Sequence, residues 1–275
     1  MNEGSKKRFI SARDVAFLTV PLALAIISGM AALYGRAAGF STGPETGDFD
    51  VLTAGLFTLA LLALLFYGLK RHPEKAARVI VAGVTVAGTI SGLVLLKVWL
   101  QASRTTPILF LAALPLGYLG LNWSFRGYFG NLSQRKTNIL MIGSATLLGS
   151  LMGTAFPTLY SMVFLIMLTV VDVFVVETNI LTSVVGKISY EKMVSVATLP
   201  MEEYLVGLGD FLAYAILVTA SLKILGVYGA VEAGILVLIG ALATFEITRR
   251  RTRAPGLLIP IGLGLLPMIL GPFFT

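Results

Sequence analysis

The chain has 275 residues, 56% of them apolar or aromatic and only 13% charged, with a mean hydropathy of +0.88 and a net charge of +7. Soluble domains carry roughly 25% charged residues, so a soluble globule is excluded and a polytopic membrane protein is expected. Without cysteine and with one histidine, His72, the sequence also excludes disulfides, thiolate catalysis, Cys-ligated zinc, iron–sulfur clusters, multi-His metal sites and an intramembrane Ser-His-Asp triad; no cofactor or metal is expected.

Nine apolar runs follow in chain order, at 15–34, 51–69, 79–99, 107–122, 138–156, 158–176, 204–222, 227–245 and 257–274. A helix needs about 20 residues to cross roughly 30 Å of hydrocarbon, and most of these runs meet that length. The fourth is short. The fifth and sixth abut at Phe156-Pro157, where proline ends a helix, so a tight turn between two spans is expected there. The N-terminal run lacks the small-residue cleavage site of a signal peptide.

Basic residues set the orientation. With the N-terminus in the cytoplasm, 17 of the 21 Lys and Arg fall on the inner side, and only Arg36, Lys97, Arg104 and Lys223 fall outside. This is the positive-inside asymmetry, and an odd number of spans puts the C-terminus outside. The basic balance is therefore a topology signal, and no nucleic-acid partner is expected. Arg249–Arg253 should anchor this topology and touch anionic lipid. Lys97 and Lys223 should snorkel at the outer ends of their helices.

The longest connection is 177–203, where Ile180, Val184, Val185 and Ile188 allow a short amphipathic helix at the interface. There is no internal repeat and no soluble domain. The chain 1–275 reads as a single membrane domain, with spans one to six over about 15–176, a cytoplasmic link at 177–203 and spans seven to nine over about 204–274.

Two aspartates lie inside spans: Asp172 in the sixth and Asp210 in the seventh. A carboxylate at the bilayer centre costs about 2.5–3.5 kcal/mol on insertion scales, so each needs a task or a partner. Asp172 precedes the cytoplasmic end of its span by four residues, roughly 6 Å, and Asp210 follows the start of its span by six, roughly 9 Å. The two spans run antiparallel, so the carboxyls share a level. Two carboxyls about 3 Å apart hold one proton between them, as an aspartyl dyad requires. The ionised partner would activate a water while the protonated one donates to the peptide carbonyl. Gly207 and Gly209, read as part of the same helix, would let a substrate strand or a neighbouring helix approach Asp210. Spacing alone also allows the two glycines to be small-residue packing positions and the aspartates a buried proton or ion relay.

The segment Gly207-Leu208-Gly209-Asp210-Phe211, with Tyr214 and Ile216-Leu217-Val218 after it, resembles the GxGD span of the presenilin and signal-peptide-peptidase family of intramembrane aspartyl proteases. Nine spans, an Asp in the sixth, the GxGD Asp in the seventh and a long link between them match that family's layout. The resemblance implies an all-α, presenilin-like fold with catalytic Asp172 and Asp210, supported by Gly207, Leu208 and Gly209; Tyr214, one turn after Asp210 and on the same face, is read as lining the active-site cavity in support or as simply packing. The family's Pro-Ala-Leu element at the ninth span is matched by Pro255-Gly256-Leu257, with Gly in place of Ala. The resemblance implies that these three residues shape the site and bind substrate. Leu258 replaces a usual Pro, and Val171 replaces the usual Tyr before the first Asp.

The implied activity is hydrolysis of peptide bonds within transmembrane helices, the bilayer and the substrate helices being the partners. An N-in, C-out chain looks like the presenilin branch. A compact microbial homologue in a prokaryotic plasma membrane is expected, with its active site towards the cytoplasm, working without accessory subunits and open to homo-oligomer formation. The competing readings are a cation or proton channel or transporter using the same aspartates, and a prepilin-type GxGD peptidase.

Overall fold

In the computed structural model of the protein, the described residues are 12–37, 70–102, 106–187, 197–200, 205–250 and 254–271, with scattered positions between 56 and 68 and between 190 and 194. In chain order the elements are α1 (Ala12–Ala37), α2 (Pro73–Ala102), α3 (Thr106–Tyr128), α4 (Gln134–Ala155), α5 (Thr158–Thr178), α6 (Ile180–Val185), β1 (Thr198–Pro200), β2 (Leu205–Gly207), α7 (Leu208–Arg250) and α8 (Leu258–Leu270). The run expected at 51–69, the end of the ninth run and the acids Glu202 and Glu203 lie outside the described residues, apart from scattered positions.

Five of these helices, α1, α2, α4, α5 and α7, are long and apolar enough to cross a membrane, while the apolar α8 is shorter. Large apolar side chains are also exposed on their outer faces, among them Val20, Ile27, Val170 and Phe174, as lipid-facing surface requires. The protein is an integral, multi-pass membrane protein. The fourth apolar run, short in sequence, continues as helix to Tyr128, and within it the Ser124 hydroxyl is satisfied by donating to the Gly120 carbonyl at 2.9 Å.

α7 holds two of the expected spans. At Gly226 the backbone adopts φ 70°, ψ −164°, a conformation that only glycine adopts readily. The chain folds back there: a Cβ at Gly234 would lie 3.9 Å from Val218, whereas 16 residues of continuous helix would hold them about 24 Å apart. The first arm, before Gly226, is the axis of the molecule. Ala213 to Ala220 are all buried, and they pack with Leu22 and Ala25 of α1, Phe164 and Leu165 of α5, Val237 of the second arm and Ile261 of α8. A helix apolar on every side finds its place by such complete enclosure.

Small residues let the backbones meet. Gly149 of α4 lies where a Cβ would come 2.5 Å from the Leu212 carbonyl and 2.8 Å from Ala215, and Gly88 of α2 lies directly against the Ser144 backbone. Helices in lipid associate through this close packing, since no hydrophobic driving force separates helix from acyl chain. Gly88→Ala meets backbone that cannot swing aside, so we expect a loss of about 1–3 kcal/mol. A melting temperature in detergent equal to that of the unmodified protein would contradict the α2–α4 contact.

Two extended residues, Phe156 and Pro157, separate α4 from α5. The Phe156 carbonyl accepts a hydrogen bond from Lys223 Nζ at 3.2 Å. Lys223 thus caps a helix end. Lys97 is exposed.

The 177–203 link departs most from expectation. α5 stops at Asn179, whose φ of 50° and ψ of 27° are left-handed, a conformation asparagine tolerates. The expected short helix follows at Ile180–Val185; Ile188 lies outside the described residues, and residues 190, 191, 194 and 197 further along the link are helical too. The chain then returns through an antiparallel pair, Thr198 opposite Gly207, Leu199 opposite Val206 and Pro200 opposite Leu205. Leu199 and Val206 are buried beneath it with Leu18, Met141, Phe211 and Phe245. The expected start of the seventh span at 204 is therefore corrected: residues 205–207 are strand, and the helix begins at Leu208.

Candidate active site

The hairpin and the N-terminus of α7 fix Asp210 together. Gly207 ends β2 and Asp210 is the third residue of the helix, so Gly207 does not share the helix of Asp210 as the sequence suggested. Instead its N–H donates to Asp210 Oδ2 at 3.1 Å. A carboxylate three residues into a helix commonly accepts in this way from the residue at the cap, and it also faces the positive end of the helix dipole. Leu208 and Phe211 are buried on either side, with Phe211 edge-on to Phe17 of α1 at 5.8 Å between ring centres. Gly209 is different: it is exposed, and a Cβ there would meet nothing within 4 Å.

Asp172 comes from the other side, about one and a half turns before the end of α5. Its Oδ2 accepts from the Leu257 N–H at 2.9 Å, and the Gly256 amide faces the same carboxylate. Gly256 in turn lies against Asp210: a Cβ on it would sit 2.9 and 3.1 Å from the two Asp210 oxygens. The Gly256-Leu257 segment thus stands between the two aspartates, which are within electrostatic reach of each other. Each carboxyl has one oxygen held by a backbone N–H, Asp172 by that of Leu257 and Asp210 by that of Gly207. Tyr214, one turn beyond Asp210 and buried, donates its hydroxyl to the Gly256 carbonyl at 3.0 Å.

The Pro255-Gly256-Leu257 element therefore meets both aspartates, through Gly256 and Leu257, although the Leu257 side chain is in the apolar core and only its amide faces the site. Among the described residues no group of three or more His, Cys, Asp or Glu is placed to hold a metal ion. The sequence reading missed the backbone donors at Gly207 and Leu257 and the hairpin beside them. The glycines at 207 and 256, where a backbone can come close to a carboxyl, were the only local signal.

No family model matches the sequence, and no curated protein matches it. Solved structures do. Two crystal forms of a presenilin family intramembrane aspartate protease align over nearly the whole length. The C222 form gives a TM-score of 0.56 at 18% identity, covering 95% of this chain and 99% of that one. The P2 form gives 0.61 at 17% identity, covering 94% and 97%.

The chain has the presenilin-family protease fold.

At this identity the likeness is one of fold, and it agrees with the fold that the GxGD segment suggested. The sixth and seventh expected spans are α5 and the first arm of α7, the two elements that carry Asp172 and Asp210.

Proposed function

We propose that the protein is an intramembrane aspartic endopeptidase. The observation that carries this reading is that Asp172 and Asp210, on separate helices of a membrane bundle, converge on the Gly256-Leu257 turn. A carboxylate pair sharing one proton titrates as a unit. Its ionised member takes a proton from a bridging water, and the water oxygen attacks the peptide carbon. The protonated member donates to the carbonyl oxygen, and the leaving amine is then protonated as the C–N bond breaks. The amides of Gly207 and Leu257 keep the carboxyls aimed at one point, which is the positional contribution that oriented groups make to rate.

The substrates are transmembrane helices, which must unwind locally because a helical peptide bond is shielded by its own hydrogen bonding. An unwound segment has a place to pair: the outer edges of the β1–β2 hairpin, beside Asp210, offer backbone groups for strand addition. The chain works as one membrane domain with its N-terminus inside and the active site towards the cytoplasm. Accessory subunits are not needed.

Purified protein in liposomes should cut a reporter transmembrane peptide, and a transition-state inhibitor of aspartyl proteases should block the cut. Proton or cation flux in sealed vesicles without any cleavage would replace this reading with that of a channel or transporter. Within the protease reading, Gly209→Ala fills open space beside Asp210. It should leave the melting temperature unchanged or raised, since alanine favours the helix by about 1 kcal/mol, while slowing reporter cleavage about tenfold by narrowing the approach. Unchanged cleavage would remove the Gly209 face from the substrate path.

A further inference from the structure

The Gly256–Leu257 peptide group is gripped at both ends. Its carbonyl oxygen accepts from Tyr214 Oη at 3.0 Å, and its N–H donates to Asp172 Oδ2 at 2.9 Å. The two partners stand on different helices, Tyr214 on the first arm of α7 and Asp172 on α5. A peptide group is a rigid plane with its C=O and N–H pointing in opposite directions. Whatever fixes the oxygen therefore fixes the direction of the hydrogen. We propose that Tyr214 is a positioning residue for the aspartate pair, acting through this single peptide plane to hold the Leu257 amide on Asp172 and the Gly256 backbone against Asp210.

The inference rests on the protease reading for its kinetic consequence, though the clamp itself does not. Two further features support it. Tyr214 follows Asp210 by four residues, so both project from one face of the helix, and the hydroxyl reaches the turn that touches that carboxyl. Donation to a carbonyl also polarises the amide and strengthens its N–H as a donor. An ordinary core role would be met by the ring, which is buried with Ile261 and Leu265 in the central cluster. Among the described residues, what the hydroxyl adds is the hydrogen bond to Gly256.

Tyr214→Phe keeps the ring and deletes that bond. With a transmembrane reporter, kcat should fall at least tenfold while KM stays within about twofold, because binding surface is retained and geometry is lost. A second readout needs no proteolysis. The chain has no cysteine, so Ala254→Cys provides a single thiol beside the turn. Its labelling by a maleimide should quicken several-fold when Tyr214→Phe is added. Wild-type kcat, or unchanged labelling, in the Tyr214→Phe protein overturns the clamp. If the parent protein cuts no reporter, the protease reading fails by itself, and labelling alone decides the clamp. If Tyr214→Phe also lowers the melting temperature, the double variant with Gly256→Ala decides. Action through one peptide makes the two losses in kcat overlap, whereas independent damage makes them multiply, and multiplication overturns the proposal.

Discussion

Asp172→Asn and Asp210→Asn should each abolish cleavage of a transmembrane reporter while leaving the protein folded. Asparagine is nearly isosteric with aspartate, and its carbonyl oxygen can still accept the Leu257 N–H in one case and the Gly207 N–H in the other. The local structure is thus preserved. What disappears is the ability to take a proton from water or to give one to the substrate. General acid–base catalysis contributes about 100- to 10,000-fold. Since both roles depend on the pair, either substitution should take the rate to background, with the melting temperature within a few degrees of the parent. Cleavage by one variant at the parental rate would remove that aspartate from the chemistry. Parental rates in both would refute the dyad.

Gly256→Ala should cost about 10- to 100-fold in kcat with little change in stability. The added methyl would sit 2.9 Å from Asp210 Oδ2 and 3.2 Å from its Cγ, so one of the two must move. The carboxylate is the free end of a side chain and yields more readily than the turn, which Tyr214 and Asp172 hold from both sides. A carboxyl displaced by a few tenths of an ångström keeps the fold but leaves the productive geometry, and misplacement near 1 Å costs roughly 100-fold. A Gly256→Ala protein as active as the parent would show that Asp210 does not rest against Gly256 when the enzyme works.

Much of the fold was legible in the sequence because hydropathy is local. Burial in lipid demands apolar side chains along the whole length of a helix, so the runs containing α1, α2, α4 and α5 stand out without any knowledge of their neighbours. The Phe156-Pro157 break was equally plain, since proline lacks the N–H that a continuing helix needs. Asp172 and Asp210 were legible by contrast with their surroundings, as carboxyls in stretches such as Thr169-Val170-Val171 and Phe211-Leu212-Ala213.

Only the tertiary structure decided how those carboxyls are held. The donors are backbone amides, which every residue but proline carries and which therefore leave no mark in a sequence. Leu257 is 85 positions from Asp172, and Gly256 is 42 from Tyr214, so no local pattern joins them. Strands of three residues, like β1 and β2, are too short for an alternating pattern to register, and the same letters extend a helix equally well. That is why Gly207 read as helix and proved to be the end of a strand. Sequence alone therefore determined that this chain enters the membrane and carries two carboxyls there. The packing of α5, α7 and the turn before α8 decided that both reach the same turn, because only folding brings distant amides to a buried charge.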